Sequence, residues 1–517
     1  MTAQNASHSG SNLTCTLDGS ALSVAEVAAV ARRGAGIRLH ASARMQLADA
    51  RRVVEAALGD GLAHYGINTG FGSLARSRIP AGELRELQRN LVRSHAAGVG
   101  TPLPEDVVRA TMLLLAASLS RGCSGVRPEI VEHIVAMLGA SVTPVVPSVG
   151  SVGASGDLAP LAHIALVLIG EGKAWAGREG PLDGAEALRR AGLQPMALEA
   201  KEGLALINGT HLMAAEGALL CEDWEHLFEA AMLACAMSID AMKGTDSHLD
   251  ERVHKARNQP GPAAVAARLK RALAGSGVLQ SHKENDPRVQ DAYSLRCAPP
   301  VLGAAADAAA YVRRMVEHEL GGVTDNPLVF QGEGESIVSA GNFHGMPLAI
   351  PLDALSIAIA HVAGIAERRV YLMLAARDPE AGLRPYLAAQ PGLQSGLMIA
   401  QYTAAACCNE IIGLCTPASP SNLATSAGTE DYNSFGPRAA AKARRAMELC
   451  RNVVAVELLC AAEALESHRP LRSGADVEKA HAIVRSVVPP LDHDRPPSPD
   501  IEAISELIRQ GAFGAGR

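Results

Sequence analysis

Four long segments, 301–320, 348–377, 394–415 and 437–467, are dense in alanine and separated by loops rich in Gly, Pro, Asn and Ser. Segments of that length and composition favour helices over strands, and small side chains let helices approach closely. In the last segment Ala446, Leu449, Val453, Val456 and Cys460 recur at three- and four-residue spacing, with Lys442, Arg445, Arg451 and Glu457 on other faces. Such a stripe marks core packing. Hydrophobic residues make up 48% of the 517 residues and aromatics only 3%, so the core must be built of Ala, Leu and Val. Strong β signals are short, as at 142–149, and strands do not alternate with helices, which excludes a Rossmann unit or a barrel. The expected fold is mainly all-α, a long helical bundle with a smaller N-terminal region. The expected organisation is a disordered tail over 1–18, an N-terminal domain over 19–215, a helical bundle over 216–488, and a C-terminal tail with a closing helix over 489–517.

The net charge of -7 and the lack of a long basic run exclude the electrostatic footprint of a nucleic-acid binder, leaving a small-molecule partner. Ten cysteines show no CxxC pair and no zinc spacing, so no metal site is expected and a reducing cytoplasm is. The polar N-terminus lacks the apolar stretch of a signal peptide. Residues 385–409 lack charge, yet their prolines, glycines and glutamines argue against a membrane span.

In the N-terminal half, Ser23-Val24-Ala25-Glu26 has the form of a capping box opening a helix, and a second helix is expected over 43–58, ending before Gly59. The glycine-dense stretch from Tyr65 to Ser73 breaks the periodicity. It has the composition of a binding or catalytic loop, and equally of a surface loop. Two helices follow over 81–97 and 104–121, the second almost uniformly apolar and therefore buried.

The segment Gly150-Ser151-Val152-Gly153-Ala154-Ser155-Gly156-Asp157-Leu158-Ala159-Pro160-Leu161 carries the chemistry. If the Gly156 amide nitrogen reaches the Ala154 carbonyl, ring closure with loss of water gives an imidazolone. Dehydration of Ser155 then adds an exocyclic methylidene. Glycine permits the backbone conformation, Ala154 adds little bulk, and Ser155 supplies the hydroxyl that leaves. Alone, Ala-Ser-Gly is equally an ordinary turn. A nucleophile elbow is excluded by spacing, because Gly-x-Ser-x-Gly is absent around Ser155.

Five further segments accompany it in order: Tyr65-Gly66-Ile67-Asn68-Thr69-Gly70-Phe71-Gly72, Ser94-His95-Ala96-Ala97-Gly98, Ile207-Asn208-Gly209-Thr210, Gln290-Asp291-Ala292-Tyr293-Ser294-Leu295-Arg296-Cys297 and Gly341-Asn342-Phe343-His344-Gly345. Thr425-Ser426-Ala427-Gly428-Thr429-Glu430-Asp431 closes the set. Together, over roughly residues 20–470, these resemble the aromatic amino acid ammonia-lyases, which carry a methylidene-imidazolone (MIO) group. The resemblance is closest to the histidine ammonia-lyases. It implies that 4-methylidene-imidazol-5-one forms from Ala154, Ser155 and Gly156 with no external cofactor, and that Tyr65 removes the β-proton. A tyrosine titrates near pH 10 in water, so that role requires the site to lower its pKa or relay its proton. It further implies that Tyr293, Gln290 and Asn208 order the substrate, that Arg296 grips its carboxylate bidentately, and that Phe343 walls the ring. His95 and Glu430 would meet a substrate imidazole, and the Glu-Asp pair is the histidine-type form where phenylalanine lyases carry Gln. Family sites are assembled from three subunits of a tetramer, so a homotetramer is implied.

The activity implied is elimination of ammonia from L-histidine to give trans-urocanate. Met346, His211, Gly428, Thr429 and Tyr432 depart from the histidine-type pattern. They keep open another aryl amino acid (Tyr or Phe) or a modified histidine such as ergothioneine, a betaine that would lose trimethylamine. Two other classes share part of this pattern. The fumarase and aspartase group also eliminates ammonia on a helical bundle, but its G-S-S-x-M-P run is absent. A non-catalytic helical scaffold would not need Tyr65, Ser155, Tyr293 and Arg296 together.

Overall fold

The computed structural model describes residues 14–177, 180–284, 286–332 and 336–514. Its backbone is mainly helical, and the chain divides into two compact units. The first unit takes Met1–Leu219, Arg313–Pro351 and Ala418–Ala440, and the second takes Leu220–Val312, Leu352–Pro417 and Ala441–Arg517.

In the first unit, helix Val24–Arg33 begins at a complete capping box in which the Ser23 side chain accepts from the Glu26 N–H and the Glu26 carboxylate accepts from the Ser23 N–H. Reciprocal satisfaction of two end donors fixes where this helix starts. Helices Ala41–Gly59, Leu84–His95 and Glu105–Ser120 follow, and thirteen of the sixteen residues of the last are buried. That is the outcome its uniformly apolar sequence requires. Of the tail expected over 1–18, residues 1–13 lie outside the described residues, but Thr14–Leu17 form a strand paired in parallel with Gly36–Leu39. Cys15 and Leu17 alternate inward and are buried, which orders this stretch despite its polar surroundings. The β signal at 142–149 becomes two short strands, Thr143–Pro144 and Pro147–Val149. The second pairs antiparallel with Val99–Pro102 and so fastens the end of helix Leu84–His95 beside the glycine-rich run that starts at Gly150.

The second unit is a set of helices, among them Pro260–Ala272, Met398–Leu414, Ala475–Arg485 and Ser498–Arg509. Residues Ala446, Leu449, Val453, Val456 and Cys460 are all buried, as their spacing requires. Lys442 and Glu457, placed on other faces by that reading, are buried too. The reason is pairing. The Arg369 guanidinium donates to both Glu457 carboxylate oxygens with neither side chain exposed, and Ser238 Oγ donates to Glu457 at 2.7 Å. A buried ion pair broken on one side leaves a bare charge in a medium that solvates it poorly. Glu457→Ala is therefore expected to cost about 3–5 kcal/mol, read as a lowered denaturation midpoint, whereas removing both partners together costs much less.

Helix Met346–Ala375 is long and apolar enough to cross a membrane, but 61% of its most apolar window is buried inside the protein, as in a core helix. The uncharged stretch 385–409 contains short turns and then enters helix Met398–Leu414.

Candidate active site

Residues 150–157 form a loop that leads into helix Leu158–Leu168. Two other segments of the first unit strap it down. The Gly209 N–H donates to the Ser155 carbonyl at 3.1 Å, and the Asp157 N–H donates to the Gly209 carbonyl at 2.7 Å. On the other side, Phe435 N–H donates to the Val152 carbonyl at 3.0 Å and Ser434 Oγ to that of Gly153 at 3.2 Å. Ser151 Oγ donates to the Gly156 carbonyl at 3.2 Å. Gly156 has φ +75°, and a Cβ placed there would lie 2.1 Å from the Gly209 carbonyl oxygen. Glycine is therefore required on two independent grounds, conformation and space. Ala154 is buried and Ser155 half-buried. These residues fit the imidazolone, since the tripeptide is anchored on both flanks and position 156 carries no side chain to obstruct ring closure.

Asp157, absent from the residues singled out in the sequence, is fully buried. Its Oδ2 accepts from the Leu212 and Met213 N–H groups at the start of helix His211–Ala241, while Oδ1 has no partner among the described residues. Burial pushes its carboxyl up to about 8, the two N–H groups pull the other way, and Glu216 and Glu319 add to the rise. The available signal was an acid set between a glycine loop and a helix apolar all round.

Tyr65 is half-buried, and its Oη accepts from the Gly72 N–H at 3.3 Å. A Cβ on Gly72 would lie 2.8 Å from Ser426 Oγ, so the Tyr65 loop rests on the loop that bears Glu430. That second loop is strained, with Ser426 and Ala427 at φ +50° and +53°. Left-handed conformations of side-chain-bearing residues persist only where surrounding structure imposes them, and they concentrate at functional sites. Here the constraint is a closed turn in which Thr425 and Glu430 exchange backbone hydrogen bonds and Thr425 Oγ1 donates to Glu430 Oε2 at 2.7 Å.

His95 ends its helix with Nδ1 2.9 Å from the Leu91 carbonyl. A carbonyl only accepts, so Nδ1 carries the proton and a neutral His95 offers Nε2 as an acceptor. The segment after it is packed on the catalytic-loop candidate, because a Cβ on Gly150 would lie 2.9 Å from Gly98 Cα. Phe343 is half-buried. Its neighbour Gly345 has room for no side chain against Met213 and Ser434, and His344 Nε2 donates to the Tyr432 carbonyl at 3.1 Å. Asn208, buried, precedes Gly209 directly. The first unit thus links Tyr65, His95, Ala154, Ser155, Gly156, Asn208, Phe343 and Glu430 through one connected set of loop contacts.

Gln290, Tyr293 and Arg296 belong to the second unit. The Arg296 guanidinium lies 4.5 Å over the Tyr293 ring and its Nε donates to the Asp291 carbonyl at 3.0 Å. Asp291 in turn accepts from Thr245, and Arg369 Nη1 donates to the Ser294 carbonyl. Gln290 is exposed, and Tyr293 is 70% exposed, high for a ring that size. Among the departures, His211 is fully buried, and burial pushes its pKa down to about 3, so it is neutral at physiological pH.

The sequence model described as "Aromatic amino acid lyase" matches residues 22–486. The chain is 50% identical to the histidine ammonia-lyase of Anaeromyxobacter sp. (strain K) over 508 residues, covering 97% of this chain and 99% of that one. Among solved structures it is similar to histidine ammonia-lyase from Trypanosoma cruzi, with TM-score 0.89, 38% identity and coverage of 97% and 94%. It is also similar to the ergothioneine-degrading enzyme ergothionase from Treponema denticola, with TM-score 0.88, 27% identity and coverage of 98% and 100%. The chain belongs to the aromatic amino acid lyase family. It is a carbon–nitrogen lyase of that family, which sets aside the non-catalytic scaffold.

Proposed function

We propose that this lyase eliminates ammonia from L-histidine to give trans-urocanate, with an MIO group formed from Ala154, Ser155 and Gly156. The observation that carries the reading is the anchored loop in which Gly156 faces the Gly209 carbonyl with no room for a Cβ. When formed, the group supplies an electrophilic carbon for the substrate amine, turning a poor leaving group into a better one. The chain's own residues do the rest. Tyr65 takes the β-proton at its Oη, the oxygen to which the Gly72 N–H donates. Arg296 holds the carboxylate, Asn208, Gln290 and Tyr293 order the substrate, and Phe343 packs against its ring.

His95 and Glu430 support histidine as the substrate. With Nδ1 held by the Leu91 carbonyl, His95 presents Nε2 to an imidazole, and the Glu430 carboxylate offers an acceptor or a counter-charge, neither of which a phenyl ring can use. Glu430→Gln is expected to raise the KM for histidine by about 10–100-fold, the scale of one hydrogen bond to a charged group, and to leave KM for phenylalanine unchanged. Steady-state kinetics on both substrates checks this.

The assembly we propose is a homotetramer in a reducing cytoplasm. Exposed Tyr293, Ile399, Tyr402 and Ile412 leave apolar surface on the second unit that a further copy of the chain would cover, and all ten cysteines are free. Assay of the purified chain against His, Tyr, Phe and ergothioneine tests the substrate. Urocanate from histidine at the highest kcat/KM is expected. Preferred release of an arylacrylate from Phe or Tyr, or of trimethylamine from ergothioneine, would overturn the reading in favour of the departures at Met346, Gly428, Thr429 and Tyr432.

A further inference from the structure

One buried ion pair in the first unit sits beside Asn208. Lys201 Nζ lies 2.6 Å from Asp325 Oδ2, with the Lys201 side chain fully buried and that of Asp325 2% exposed. The other carboxylate oxygen, Oδ1, accepts from the Asn326 N–H at 2.7 Å and from Asn208 Nδ2 at 3.3 Å. Asn208 Nδ2 also donates to the Asn326 carbonyl at 3.0 Å. Both partners of that nitrogen are acceptors only, so the end of the carboxamide facing them is the NH2 and the carbonyl oxygen faces away. That oxygen, Asn208 Oδ1, is buried and has no partner among the described residues.

An isolated buried ion pair contributes little to stability, because desolvation of two charges offsets their attraction. Lys201 moreover adopts φ +76°, a conformation that side-chain-bearing residues rarely take. A costly pair on a strained backbone calls for a role other than packing. The pair spans 124 residues of sequence and ends on the one carboxamide that adjoins Gly209, whose N–H and carbonyl bind Ser155 and Asp157.

We propose that Lys201 and Asp325 are positioning residues. They lock the Asn208 carboxamide so that Oδ1 waits as a buried acceptor for an N–H donor of the reacting substrate, the amine that is to leave. The proposal rests on the lyase reading above. Asp325 fixes which end of the amide points outward, and Lys201 holds the Asp325 carboxylate in place, which steadies its hold on Nδ2. Without that hold the carboxamide can rotate and present NH2, a donor, to a group that is itself a donor.

The test compares two neutral replacements in the full-length protein. Lys201→Met with Asp325→Leu removes charge and acceptor together, whereas Lys201→Met with Asp325→Asn removes the charge and keeps an acceptor oxygen. Replacing both partners at once avoids an unpaired buried charge. The proposal expects the Met/Leu form to lose about 10–100-fold in kcat, the scale on which loss of a supporting partner is felt. The Met/Asn form should fall between it and the parent, with about a fivefold loss, because a hydrogen bond to a neutral acceptor is weaker than one to a carboxylate. In both, the imidazolone ultraviolet absorbance and the KM for histidine should stay at the parent values. If the Met/Leu form does not fold, the Met/Asn kcat decides alone. Parent-like kcat in the folded double variants would overturn the positioning role and leave the lyase reading intact. Loss of the absorbance would also overturn it, in favour of a role in ring formation. A parent protein that turns over no substrate and has no absorbance would overturn both.

Discussion

Gly156→Ala is expected to abolish the near-ultraviolet absorbance of the imidazolone and to lower turnover by at least about a thousandfold, a loss on the scale of removing a covalent centre. Two physical effects act together. At φ +75° a side-chain-bearing residue pays a conformational penalty, and its Cβ would lie 2.1 Å from the Gly209 carbonyl oxygen. Relief of that overlap moves residue 156 away from the strap formed by Gly209, and with it the amide nitrogen that must close on the Ala154 carbonyl. Ser155→Ala separates the steric effect from the chemical one. It adds no bulk and removes only the hydroxyl that leaves, so it should retain the parent denaturation midpoint while losing absorbance and turnover equally. Circular dichroism, the absorbance spectrum and initial rates on the same samples check both variants. A Gly156→Ala protein with parent absorbance would show that the Gly209 contact does not govern ring formation.

Tyr65→Phe is expected to keep the absorbance and lower kcat by about 10²–10⁴-fold, the contribution of a positioned general base. Only the phenolic oxygen is lost, together with its contact to the Gly72 N–H, and the loop's fastening to Ser426 runs through Gly72 itself. The sign of the pH effect follows from the role. A base works deprotonated, so kcat/KM in the parent rises with pH through the ionisation of that base, and the rising limb attributable to it should vanish in Tyr65→Phe. A variant that loses rate but keeps the whole limb would place the base elsewhere.

The long alanine-rich helices and the capping box at Ser23 could be read along the chain because their causes are local: periodicity, propensity and end-group satisfaction within a few residues. The loops that carry chemistry were legible for a different reason, since each departs from periodicity with residue types that packing alone does not need. What could not be read are the partners that lie far apart in sequence. Glu457 looked like a solvated face of a helix because its partner Arg369 is 88 residues away. Lys201 and Asp325 lie 124 residues apart in sequence, and only the fold brings them together at Asn208. The return of 313–351 and 418–440 to the first unit is of the same kind, a long-range consequence of topology that no local pattern encodes. Thr14–Leu17 is the opposite case, a short strand whose two inward residues, Cys15 and Leu17, leave little apolar signal in a polar context.

The claim that this chain makes its own electrophile is tested most directly by the mass of the purified protein's peptide spanning residues 154–156. Ring closure releases one water and dehydration of Ser155 another, so the peptide is expected to be lighter than its sequence by two waters, with Ala154, Ser155 and Gly156 all within the altered fragment. A peptide of unaltered mass, from protein that turns over its amino acid, would contradict it.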